Sequence, residues 1–139
     1  MDITTVSADQ IVSTLLRSFA DAQAIYLFGS YGTPYERYDS DIDIGLLLPP
    51  GQAKNYEKQV WEAGRALEQV LPRSIDLINL RCVSIILQNE VVSDGRILYR
   101  QDEFEVDTYE MLVLSLLQKH QEETAGIREE ILASGRVLA

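Results

Sequence analysis

The chain has 139 residues, 46% of them apolar, and sets 12 Lys and Arg against 22 Asp and Glu for a net charge of -10. That length supports one compact core and not two, so residues 1–139 are expected to form a single domain. The acidic balance argues against a protein that holds a long nucleic acid through its phosphates, and no stretch approaches the ~20 uninterrupted apolar residues of a membrane span.

In chain order, "MDITTVSADQ" has neither a basic nor an apolar leader segment, so a cytoplasmic protein is expected. Ser7 reads as an N-cap, and Ile11, Leu15, Leu16 and Phe19 recur at helical spacing, predicting a helix over roughly 8–22. "AIYLFGS" is a short apolar run stopped by Gly29 and Ser30, a buried strand ending in a tight turn. "YGTPYERYDS" is rich in turn formers and predicts irregular chain with one helical turn near Tyr31, before a second strand, "DIDIGLLL". Residues 56–71 predict an amphipathic helix with Val60, Trp61, Leu67, Val70 and Leu71 on its buried side, ended by Pro72. "RSIDLINL" is a third strand interrupted by Asp76. The single Cys82 permits no internal disulfide and reads as a small buried thiol. A helix follows, stopped near Gly95, and then the strand "RILYR", in which Tyr99 reads as a packing residue, like Tyr26 earlier. About 103–134 is helical, with a break expected at Gly126. Its segment "YEMLVLSLLQKH" is apolar on nearly every face and must be covered by the domain or by a partner. His120 reads as a surface residue. Between 102 and 130, nine acidic residues face Lys119 and Arg128, a local balance of -7 that suits a solvated helix face or a surface for a basic partner.

Asp41 and Asp43 carry the chemistry. Residues two apart on a strand face one side, so both carboxylates converge on one point, and two such charges require a cation between them. Asp76, on another predicted strand, supplies a third oxygen if the two strands are neighbours. An oxygen-only set suits Mg²⁺, which is held by a few carboxylates together with substrate phosphates. The Gly29–Ser30 turn offers donors with little bulk and can cradle a phosphate. Known alternatives fail: an EF-hand loop starting at Asp39 would place Ile44 where glycine is needed and Pro50 where glutamate is needed, and "GSYGTP" lacks the lysine of a P-loop. The parts describe a site for metal-assisted phosphoryl or nucleotidyl transfer.

A Gly-Ser turn after a buried strand, ten residues, D-x-D opening the next strand and a later strand aspartate together resemble the signature of the DNA polymerase beta-like nucleotidyltransferases. Gly29, Ser30, Asp41, Asp43 and Asp76 match it. With "NEVVSDGRILYR" following, the chain most resembles the minimal nucleotidyltransferase (MNT) antitoxins of HEPN/MNT toxin-antitoxin pairs, clearly over about 25–100 and weakly over the last forty residues. Where relatives commonly read "GSRARGDARPDSDID", Thr33 replaces an arginine and Pro34 a glycine, while Arg37 matches the last arginine and is the remaining cation for the triphosphate.

The resemblance implies an α+β fold, a small mixed sheet flanked by helices. It implies an enzyme that uses ATP and two Mg²⁺ ions, with Asp41, Asp43 and Asp76 as metal ligands and catalytic groups and Gly29, Ser30 and Arg37 holding the nucleotide. Its partner would be a cognate HEPN ribonuclease toxin, silenced by AMP placed on a tyrosine. Small size fits an acceptor that brings its own binding surface. The rival readings are an aminoglycoside-type small-molecule nucleotidyltransferase and an antitoxin acting by binding alone.

Overall fold

The computed structural model describes residues 5–29 and 41–134. The first helix, α1 (Thr5–Ser18), buries Ile11 and Leu15 at helical spacing. Ser7 lies inside this helix and does not cap it. The helix ends four residues earlier than its periodicity suggests, because the chain must turn back: the Phe19 amide donates to the Leu15 carbonyl, the Ala22 amide to the Phe19 carbonyl, and the Gln23 amide already joins the sheet at the Leu47 carbonyl.

Four strands follow, β1 (Ala24–Phe28), β2 (Ile42–Leu47), β3 (Ile75–Asn79) and β4 (Arg96–Arg100), in the order β3-β2-β1-β4. β1 pairs antiparallel with β2 and β4, whereas β2 and β3 run parallel. The parallel pair needs a crossover, which α2 (Glu57–Val70) provides; α3 (Ile85–Asp94) and α4 (Glu103–Ser134) complete the described elements. This is the mixed sheet flanked by helices that the sequence leads one to expect. The Ser84 hydroxyl caps α3 by accepting from the Leu87 amide.

Alternation along the strands divides the core. Ile25, Leu27, Ile42, Ile44 and Leu46 face α1 and α2, while Ala24, Tyr26 and Leu47 pack with Leu80, Val91, Val106, Tyr109 and Val113 on the α3–α4 side. The second layer is tied by polar contacts. Arg81 donates to the Leu48 carbonyl and Gln23 Oε1, both at 2.6 Å, and its guanidinium lies 4.9 Å from the Tyr109 ring centre. The Tyr109 hydroxyl donates to Gln88 Oε1 at 2.7 Å.

Three expectations are corrected. Cys82 is exposed, because the 3-10 turn Leu80–Cys82 spends its inward position on Leu80. Trp61 and Val70 lie on the outer side of α2, whose buried stripe is Val60, Ala63, Gly64 and Leu67. α4 runs through Gly126 without a break. Tyr26 is buried as expected, Tyr99 is half-buried, and His120 is exposed.

Candidate active site

The site lies where β1 ends and β2 and β3 begin. Asp43, second in β2, is paired with Phe28 on one side and Asp76 on the other. Its neighbours Ile42 and Ile44 are fully buried toward α1 and α2, so the pleat turns Asp43 to the opposite face, and the matched parallel register puts Asp76 on that face too. Asp41 precedes the strand and is exposed at its lip. The ladder holding these positions begins where the Ile42 amide donates to the Ser74 carbonyl at 2.9 Å.

Gly29 follows Phe28 with φ +76°, a conformation that disfavours any other residue, and a Cβ built there would collide with Asp43 Oδ2. The turn therefore passes against the Asp43 carboxylate because no side chain stands between them. Ser30 and Arg37 lie outside the described residues, as does the turn near Tyr31.

The electrostatics favour a cation. Burial, then the Asp76 carboxylate, then that of Asp41 push Asp43 up from 3.8 to about 6. Among the described residues no three acidic, histidine or cysteine side chains close round one point as a finished metal cage. The close relation is Asp43 with Asp76, and Asp41 acts from the lip. A hard divalent ion nevertheless fits this all-oxygen set, since it would relieve the repulsion that raises Asp43.

Two side chains that sequence reading does not mark as exposed stand over the α2 face of β3, opposite the face to which the Asp76 carboxylate turns. Trp61 and Arg65, one helical turn apart on α2, border a cleft of about 210 Å³ whose floor is Ile75, Asp76 and Leu77. No motif signals them, because a tryptophan among helical apolar residues reads as core. A larger cleft of about 440 Å³ lies at the other end of β2, between Pro50–Lys54 and Arg81–Cys82. No carboxylate lines it, so it is not this site.

Comparison with known proteins agrees with the geometry. The polymerase beta nucleotidyltransferase domain matches residues 10–104. The chain is 30% identical over 131 residues to the protein adenylyltransferase MntA of Shewanella oneidensis, covering 93% of this chain and 90% of the relative. Among solved structures, a chain of a toxin-antitoxin crystal structure with AMP-PNP superposes with a TM-score of 0.77 at 28% identity, covering 90% of this chain and 98% of that one. A chain of the tri-AMPylated Shewanella oneidensis HEPN toxin in complex with MNT antitoxin superposes with a TM-score of 0.75 at 27% identity, covering 94% and 99%. Fold, strand register and sequence similarity converge: the chain belongs to the polymerase beta nucleotidyltransferase family, within the group of the adenylyltransferase MntA.

Proposed function

We propose that residues 1–139 act as one catalytic domain, an antitoxin that transfers AMP from ATP to a tyrosine hydroxyl of a cognate HEPN toxin in the cytoplasm. The observation that carries this reading is the Asp43–Asp76 pair held in register beside the side-chain-free Gly29 turn. In support, a relative at 30% identity is a protein adenylyltransferase, and a similar solved complex contains an AMPylated HEPN toxin. Among the described residues no helix is long and apolar enough to cross a membrane.

The Gly29–Ser30 turn admits the triphosphate against β2, and Arg37 meets part of its charge. Asp41, Asp43 and Asp76 are the residues to hold Mg²⁺, which when bound supplies neutralisation of the phosphates and of the developing pyrophosphate charge. Asp76 takes the proton of the acceptor hydroxyl as its oxygen attacks the α-phosphorus. A new P–O bond forms, the bond to the bridging β-phosphate oxygen breaks, and pyrophosphate leaves with the electron pair. The deciding experiment is mass spectrometry of the toxin after incubation with the chain, ATP and Mg²⁺. A gain of whole AMP units, lost with Asp41→Asn/Asp43→Asn, is expected; no gain with the native chain overturns the reading, and modification of an aminoglycoside instead would replace it.

A further inference from the structure

We infer that the end of α4 is a pairing arm for a second copy of this chain, the two arms running antiparallel as a short two-helix coil. The inference stands apart from the transferase reading and concerns a part of the fold that the active site does not use.

The core-facing side of α4 is a heptad row, Val106, Tyr109 and Val113, three and then four residues apart and buried with Tyr26 of β1 and Val91 of α3. The same spacing carries the row on through Leu116, His120, Glu123 and Ile127, but the packed domain ends before the helix does. Leu116 is 42% and Ile127 56% exposed, and every residue from 118 to 127 is exposed. At 1.5 Å per residue, residues 118–134 carry the helix about 25 Å past its packed part. A single helix of that length is marginal in water, and an apolar row along it needs cover.

Reversed, the row is its own complement. With the two-fold axis between residues 121 and 122, Leu116 of one arm meets Ile127 of the other and His120 meets Glu123, so the layers read Leu-Ile, His-Glu, Glu-His and Ile-Leu. The imidazole can donate to the facing carboxylate, and Lys119 falls beside Glu122 and Glu123 of the second copy. A hollow of about 280 Å³, lined by His120, Gln121, Thr124 and Ala125, flanks the row where Leu117 of the second copy arrives. A parallel pair would instead set Glu122 and Glu123 against their own copies, and opposed like charges disfavour it. Two polar layers between two apolar ones fix this register at some cost in stability.

The overall charge of -10 repels a second copy at long range, so pairing is expected at physiological salt, where the Debye length falls to about 8 Å. The contact spans about three helical turns, smaller than the ~1,200–2,000 Å² of standard interfaces, and the dimer is therefore reversible. Phe104 and Met111 lie on the outward side of α4 and stay open to another partner.

Sedimentation velocity of the chain alone, in about 0.15 M salt and over about 1–100 µM protein, tests the pairing. The native chain should pass from monomer to dimer across that range, and Ile127→Glu should raise the dissociation constant about a hundredfold, because each dimer loses the side chain twice. Orientation is read by disulfide trapping in a Cys82→Ser background: a Leu116→Cys chain and an Ile127→Cys chain should cross-link when mixed and not when alone. Exposure of both positions makes these variants compatible with folding. A native chain that stays monomeric, a dimer untouched by Ile127→Glu, or cross-linking of either cysteine chain with itself overturns the inference. If the chain is monomeric and Ile127→Glu instead weakens binding of the purified HEPN toxin, the toxin covers the row and the second copy is excluded.

Discussion

Asp43 is a residue whose environment opposes its own charge. Its raised value near 6 means the native state holds this proton more tightly than the unfolded chain, for which 3.8 applies. Stability contributed by the protonated form is therefore complete below about pH 4 and lost as pH rises through about 6. In EDTA at pH 7.5, Asp43→Asn should raise the melting temperature, by about 1–3 kcal/mol of stability allowing for partial exposure, and the advantage should vanish near pH 4. Melting curves at the two pH values check this; a gain of equal size at both would locate the effect in packing. Gly29→Ala should destabilise the fold by about 1–3 kcal/mol and abolish transfer, because it requires an unfavourable φ and drives a methyl group into Asp43. The D-x-D spacing and the glycine are visible in the sequence. That Asp76, and not Asp41, is the stronger electrostatic neighbour of Asp43 is not visible, because it depends on strand register.

At the scale of elements, alternation and turn residues reveal the strands, and period reveals α1 to α3 to within a few residues. The sheet order escapes them: nothing local in "AIYLF" or "DIDIGLLL" states that their strands pair antiparallel while the second runs parallel with "IDLIN". Burial of one helix face also escapes where apolar residues surround it, which is why Trp61 and Val70 are misassigned and why α4 reads as covered all round. In α4 the inner side is Val106, Tyr109 and Val113, whereas Met111, Leu112 and Leu114 face out. The anchor is the contact of Tyr109 with Gln88, whose amide also donates to the Val83 carbonyl at 2.9 Å. Tyr109→Phe preserves the ring over which Arg81 lies but strands Gln88 Oε1 in a buried position, so it should cost about 1–3 kcal/mol. Chemical denaturation would show the loss; an unchanged midpoint would mean that Gln88 finds another donor.

For the whole molecule, charge and exposed apolar surface point the same way. A net charge of -10 disfavours an acidic partner and accelerates encounter with a basic one, and the segment from 102 to 130 concentrates that charge on the helix that also exposes Phe104, Met111, Leu112, Leu114 and Leu116. Apolar side chains on this scale are consistent with a contact surface, and the acidic residues around them would act as its steering rim. Removing the chain after Gln118 takes away four glutamates together with Lys119, Arg128 and Arg136, a net charge of only -1, while leaving the Val106–Tyr109–Val113 anchor and every proposed ligand of the nucleotide in place. The shortened protein should therefore keep its ATP- and Mg²⁺-dependent thermal shift yet bind a basic toxin less tightly, through lost contact and not lost steering charge. Raising ionic strength should reduce the association rate of the full chain much more than it increases the dissociation rate, and the truncated form should keep most of that salt dependence, because it retains nearly all of the net charge. Surface plasmon resonance across a salt series separates the two rates. Equal affinity of the two forms, or association insensitive to salt, would make the end of α4 an ordinary solvated helix toward the toxin and move the toxin contact to another face.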